Sequence, residues 1–455
     1  MQDTGRRLVV TAGGTLLAMT AFTAPLSIVP AVAADLGAGA VATSWILSSM
    51  SLGLAVALLP AGSFGDETGR RRVFVAGAVL LAAGSAACGL APGPGLFVAG
   101  RIVEGIGAAA VIACGLALIS HTVPAGPERL RAIGIWGACM GAGPAVGPLL
   151  GSVGEALSSW RWAYLVITVA AVALAAAGRS LLPESRSERH RGVDLVGAAL
   201  LGIGLGCLLA ALTQGRQGWT GPWVLGLAAA AVVFLAVFLG HQRRARSPML
   251  ELHLFRRPAL VSATLAAFVT GATIIALMSF LSTVLERGLA HNAVVAAAIL
   301  LSWSGTSVVA ALLARRIPAR VSGGARMAAG LLVLAVGLLP IAVLTTATPL
   351  VQLILGLVVT GAGTGVVNAT LGREAVASVP PTDAGAGSGI NNTSRYVGAA
   401  LGVTVATVIA LPGGADAGGL VAGWNVATAL GIGLAVLGAV AVLVLQSTET
   451  RVAVR

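Results

Sequence analysis

The feature that most constrains this chain is a recurrence of apolar runs of about twenty residues, the length a helix needs to cross a hydrocarbon layer. Segments 72–91, 222–240 and 420–445 pass almost without a charged side chain. Apolar residues make up 57% of the chain and charged residues 10%, and the mean hydropathy is +0.95. That is more apolar surface than one soluble core could bury, so lipid is the solvent. In lipid every backbone N–H and C=O needs a partner within its own segment, which selects helix. A membrane barrel would instead show alternating strands of ~10 residues, and no such alternation is visible. The expected fold class is an all-α, multi-pass integral protein of the inner (cytoplasmic) membrane, with the lipid bilayer as a partner.

Apolar runs set against polar breaks place spans near 8–33, 42–62, 72–91, 96–119, 132–152, 161–178, 194–212, 222–240, 258–282, 293–314, 327–345, 350–372, 388–410 and 420–445. That is about fourteen transmembrane helices, an even number, which leaves both termini on one side. Arginine decides which side. One set of alternate loops holds Arg70, Arg71, Arg72, Arg129 and Arg131 and the clusters within 179–191, 243–257 and 315–326; the other holds little beyond Arg216 and Arg287. The positive-inside rule makes the first set, and with it both termini, cytoplasmic. Two basic loops, 179–193 and 241–257, bracket the seventh and eighth spans. The spacing therefore suggests a six-helix bundle over 1–178, a two-helix insert over 179–257 and a second six-helix bundle with a short tail over 258–455.

Other classes fit poorly. The net charge of +12 comes from 28 arginines scattered between apolar runs, which read as topology signals and not as a nucleic-acid surface. Cys88, Cys114, Cys139 and Cys207 all lie inside apolar runs and read as buried free thiols. No metal-spaced His/Cys set, nucleophile elbow or phosphate-binding glycine loop is present, so no enzyme chemistry, metal or cofactor is expected. The basic start followed by an apolar run lacks a small-residue cleavage site and reads as a retained first span. The remaining class is a secondary transporter, expected to work as a monomer.

Three motifs carry chemistry. After the second span, Gly62-Ser63-Phe64-Gly65-Asp66-Glu67-Thr68-Gly69-Arg70-Arg71-Arg72 reads as a cytoplasmic turn. Its glycines permit the reversal, and Asp66 can accept hydrogen bonds or face a helix N-terminus. In the fourth span Arg101 and Glu104 share a helix face at i, i+3, and charges within a span face a polar interior. Glu104 is a candidate proton carrier; a permanent ion pair with Arg101 is the other reading. In the fifth, Gly134, Gly143, Pro144, Gly147, Pro148 and Gly151 combine small residues with two helix-breaking prolines, as a hinge or a tight packing seam would.

In this order the motifs resemble those of the major facilitator superfamily. The first resembles its G-x-L-x-D-R-x-G-R-R loop, with Glu67 at a usually basic position, and implies a latch of Gly62, Asp66, Gly69, Arg70 and Arg71 that controls alternating access. The second resembles R-x-x-Q-G-x-G, with Glu104 in place of glutamine. The third resembles G-(x)8-G-P-x-x-G-[GP], which in that family marks exporters working as antiporters. Trp160-Arg161-Trp162, Gly192-Val193-Asp194-Leu195-Val196-Gly197 and the stretch from Gly385 through Ser388, Asn391 and Asn392 to Arg395 resemble its fourteen-helix drug:proton antiporter branch. Read physically, the two tryptophans suit an interfacial belt and the glycine–asparagine stretch a helix start at the cytoplasmic face. Relatives in that branch often carry an acidic residue in the first span where this chain has Ala21, and a glutamine where it has Tyr396. The resemblance implies export of a drug, antibiotic or small apolar metabolite in exchange for protons. A proton-coupled importer or facilitator with the same fold is the alternative.

The solute site of such a transporter lies near the midplane between the halves. Embedded polar residues nominate Thr20, Thr23, Ser27, Thr270, Thr273, Ser302, Trp303, Ser304 and Asn368. The competing expectation is that a serine or threonine in a span bonds its own helix backbone. With few carboxylates in the spans, the expected solute is neutral or weakly charged and apolar, not a multivalent cation.

Overall fold

The computed structural model describes residues 2–453 except 125, 187–191, 193, 216–217, 246, 249, 251, 319, 380–383 and 411–415. Arg216 and parts of the basic loops used for topology therefore lie outside the described residues. All regular structure among the described residues is helical.

The expected first span is broken. Helix α1 (Gln2–Thr23) passes into a 3₁₀ turn, Ala24–Ser27, and then a short helix α2 (Val29–Asp35). Pro25 is the cause, because it lacks an N–H and its ring crowds the carbonyl four residues back, that of Ala21. Helix α3 (Ala40–Thr68) runs straight through Gly62 and Asp66, so the turn expected over 62–72 shrinks to Gly69 alone, and α4 (Arg70–Gly89) starts at once. Helices α5 (Pro94–Thr122), α6 (Pro127–Leu157) and α7 (Arg161–Leu181) follow. α6 stays helical through both internal prolines, Pro144 and Pro148. The bracketed pair is α8 (Leu195–Gln214) and α9 (Pro222–Arg244).

The ninth span is composite: α10 (Pro258–Thr270), a π-helical turn at Gly271–Ile275, α11 (Ala276–Thr283) and a second π turn at Val284–Gly288. Then come α12 (Ala293–Leu313), α13 (Gly323–Leu338), α14 (Leu350–Ala377), α15 (Ala384–Ala410) and α16 (Ala417–Ala453). Among the described residues, 12 helices are long and apolar enough to cross a membrane. The expected eleventh span is a shorter apolar helix, α13, and the expected thirteenth, α15, lies outside the twelve. The glycine–asparagine stretch begins at the start of α15, and it is buried where described, with Asn391 Nδ2 donating to the Ala263 carbonyl at 3.1 Å.

Packing in lipid has little hydrophobic drive, so close approach of backbones matters most. α4 meets α5 through glycines: a Cβ at Gly84 would lie 2.6 Å from the Glu104 nitrogen, and one at Gly100 2.9 Å from the Gly84 carbonyl. One buried apolar cluster is drawn wholly from residues 263–442, and another from residues 18–260 joined by Val379, Ile390, Tyr396 and Ala400. α15 therefore contributes to both. Its contacts with α3, and those of α12 with α6, bring the two regions together around a central space.

Two smaller expectations are corrected. Trp162 is exposed as an interfacial residue should be, but Trp160 is buried, edge-on to Phe97 at 5.7 Å and Tyr164 at 5.9 Å. Cys88 and Cys114 are buried, whereas Cys139 and Cys207 are partly accessible; all four are free thiols.

Candidate functional site

A central cavity lies between α1, α6, the composite ninth span, α12, α14 and α15. Of the nominated residues, Thr23, Thr270, Trp303 and Asn368 line it, whereas Thr20, Ser27 and Thr273 are buried but do not. Several of these polar groups are already used. Thr270 and Thr273 donate to the carbonyls of Ala266 and Val269, both at 2.7 Å, and Ser27 donates to the Pro148 carbonyl at 2.7 Å. Trp303 Nε1 donates to Thr364 Oγ1 at 3.2 Å. The Asn368 Oδ1 atom is buried without a hydrogen-bond partner among the described residues.

Sequence reasoning missed most of the apolar wall, including Met19, Phe22, Met140 and Met278. Thioethers are flexible and polarizable and adapt to varied shapes, but nothing in a membrane sequence separates a lining methionine from a lipid-facing one. It also missed Arg395, which lines the cavity while 5% exposed. The signal was present, since a charge embedded in a span marks a functional site by default; placing it in a helix start hid it.

The seam residues divide. A Cβ at Gly143 would collide with Met19, one at Gly147 with Thr23, and one at Gly151 with the Ala24 carbonyl, so these three glycines let α6 lie against α1 and its break. Gly134 has nothing within reach and is not part of the contact. Pro144 and Pro148 line the cavity.

Arg101 and Glu104 stand behind that wall, both fully buried. Arg101 Nη1 donates to Glu104 Oε2 at 2.7 Å and to the Ala21 carbonyl at 2.7 Å, and Nη2 donates to the Phe22 carbonyl at 2.9 Å. Ser85 Oγ donates to Glu104 Oε1 at 2.5 Å. The guanidinium thus satisfies the Ala21 carbonyl that Pro25 leaves without its helical donor. The same side chain binds a carboxylate and a helix break. The Phe22 ring, just ahead of that break, lines the cavity and meets Tyr396 edge-on at 5.9 Å.

At the other end of α3, Arg70 pairs with Asp66 through Nε at 2.9 Å and Nη2 at 2.8 Å. Asp66 does not face the start of α4; Glu184 does. It accepts from the Arg71 N–H at 3.1 Å and lies 3.5 and 3.6 Å from the Arg71 and Arg72 Nε atoms. A carboxylate at a helix N-terminus is favoured by the unpaired N–H groups and the helix dipole. Gly62 sits within α3, and Gly69 makes the reversal.

Two clasps lie outside the spans. Asp35 accepts from Arg161 and, at 3.1 Å, from Trp160 Nε1, and the Arg161 guanidinium holds its carboxyl below the usual range. Asp194 caps α8, accepting from the Gly197 N–H at 2.7 Å, and meets His241 Nε2 at 2.8 Å and Gln242 Nε2 at 2.7 Å. Burial pushes the Asp194 carboxyl up, but these hydrogen bonds outweigh it and hold its pKa below the ordinary value.

Comparison with known proteins gives a family and named relatives. The family model for the Major Facilitator Superfamily matches residues 11–403. The chain is 33% identical over 369 residues to multidrug resistance protein Stp of Mycobacterium tuberculosis, covering 79% of this chain and 67% of Stp. It is 31% identical over 463 residues to puromycin resistance protein pur8 of Streptomyces alboniger, covering 98% and 92%. Among solved structures, the proton:xylose symporter XylE superposes with a TM-score of 0.65 at 14% identity, covering 95% of this chain and 94% of that one. That likeness shows the fold alone.

Proposed function

The chain belongs to the major facilitator superfamily, and from that premise we propose that it exports a drug, antibiotic or small apolar metabolite in exchange for protons, by alternating access about the central cavity. It is a membrane transporter and not an enzyme, as its family implies. The observation that carries the export reading is the glycine–proline face of α6 laid against the break in α1 along the cavity wall, in a chain whose named relatives are resistance and export proteins. We count α13 and α15 as spans beside the twelve, which gives about fourteen with both termini cytoplasmic. We take 1–178 and 258–455 as the two bundles, with 179–257 as the insert.

In this reading Glu104 is the coupling carboxylate. Its proton would cancel the charge that holds Arg101. The guanidinium would then release or shift against the carbonyls of Ala21 and Phe22, and the break in α1 would carry the change to Thr23 and Leu26 in the cavity wall. Gly69, Asp66, Arg70, Arg71 and Glu184 would hold the ends of α3 and α4 in one state as the latch.

The test is transport in inside-out vesicles containing Glu104→Gln. A variant with a permanently neutral side chain should lose export driven by a proton gradient, at least tenfold, while keeping solute exchange down a solute gradient. Full proton-driven export by Glu104→Gln would remove Glu104 from coupling. Wild-type vesicles that move solutes only in the opposite direction would favour the importer.

A further inference from the structure

Two buried arginines near the cavity, Arg101 behind its wall and Arg395 in it, are treated in opposite ways. Arg101 has a carboxylate and two carbonyls around it. Arg395 is nearly as withdrawn from solvent, yet its described polar contact is the Met140 thioether, 3.5 Å from Nη1. A thioether is a weak acceptor. Among the described residues no carboxylate lines the cavity. A guanidinium within a membrane span is costly and is retained where it pairs with something.

We propose that Arg395 is the subsite for an anionic group of the exported solute, a carboxylate or phenolate, so that the preferred cargo is an amphipathic monoanion. This rests on the export reading above. The planar fork of Arg395 offers two parallel N–H donors to such a group. Met140 leaves the fork without a strong competitor. The rest of the wall, with Phe22, Leu26, Met278 and Trp303, suits the apolar body of a drug-sized molecule. A second negative charge would find no cation there, and a cationic solute would meet Arg395 with no carboxylate to offset it.

The experiment is equilibrium binding to the full-length protein in lipid nanodiscs, corrected with empty nanodiscs, using three probes with one ring system: pyrenebutyrate, its neutral methyl ester and the trimethylammonium analogue. Wild type should bind the carboxylate at least tenfold more tightly than either other probe. Arg395→Gln should bring carboxylate and ester within about threefold of each other, and Arg395→Lys should keep part of the preference. The proposal is overturned if wild type shows no carboxylate preference, a result that needs no variant to fold, or if Arg395→Gln retains it. Vesicle transport separates the two readings. A carboxylate that binds with preference but is not exported leaves the subsite standing and removes export; export of the ester without carboxylate preference does the reverse.

Discussion

At Gly69 the backbone takes φ 122°, and a Cβ there would meet Glu184 Oε1 at 2.6 Å. Glycine is needed twice, for the conformation and for the carboxylate that faces α4. Gly69→Ala should cost about 1–3 kcal/mol from the backbone alone, read as a lower melting temperature of the purified protein. An unchanged melting temperature would show that the turn does not hold this backbone conformation. The glycine and its arginines were legible as a motif, because a short pattern fixes local geometry. Glu184 was not legible, because its partners lie more than one hundred residues away in sequence. Arg101 and Glu104 were legible as a pair by helical spacing, but the carbonyls of Ala21 and Phe22 that complete the arrangement belong to another helix.

Elements make sharper distinctions than motifs do. The fifth-span pattern treats Gly134 and Gly147 alike, whereas only Gly147 faces α1. Gly134→Ala should therefore leave export within about twofold of wild type while Gly147→Ala, which drives a methyl into Thr23, should reduce it at least tenfold at equal membrane abundance. Equal effects would mean that the seam is not this contact. α8 offers a pH test at its cap. The Asp194 carboxyl titrates below its ordinary value of 3.8, so the stabilisation it gives is fully present above that value and is lost as pH falls through the lowered one. Asp194→Asn keeps an N-cap acceptor but removes the charge, so it should melt lower than wild type at neutral pH by the equivalent of about 0.3–1 kcal/mol, the worth of a carboxylate at a helix N-terminus. The two melting temperatures should converge as the pH drops below about 4; a gap that persists in acid would separate the loss from the charge.

Across the whole molecule, orientation follows from where arginine sits, and it can be read chemically. With the native cysteines replaced, Pro92→Cys should react with a membrane-impermeant maleimide from outside intact cells and Pro124→Cys only after the membrane is opened; both positions are exposed loop residues. The reverse labelling would invert the protein. The sequence by itself determined the class, the helical state and most of the span positions, because burying backbone in lipid leaves one solution and the length of an apolar run announces it. It also determined the family, since the motifs lie in order along the chain. Only the tertiary structure decided that Pro25 breaks the first span, that Arg101 answers that break, that three of the seam glycines touch α1 and its break, and that Arg395 lines the cavity. Each of these depends on which face of one helix meets another, and hydropathy carries no record of that: inside a bilayer an apolar residue is equally at home against lipid and against protein.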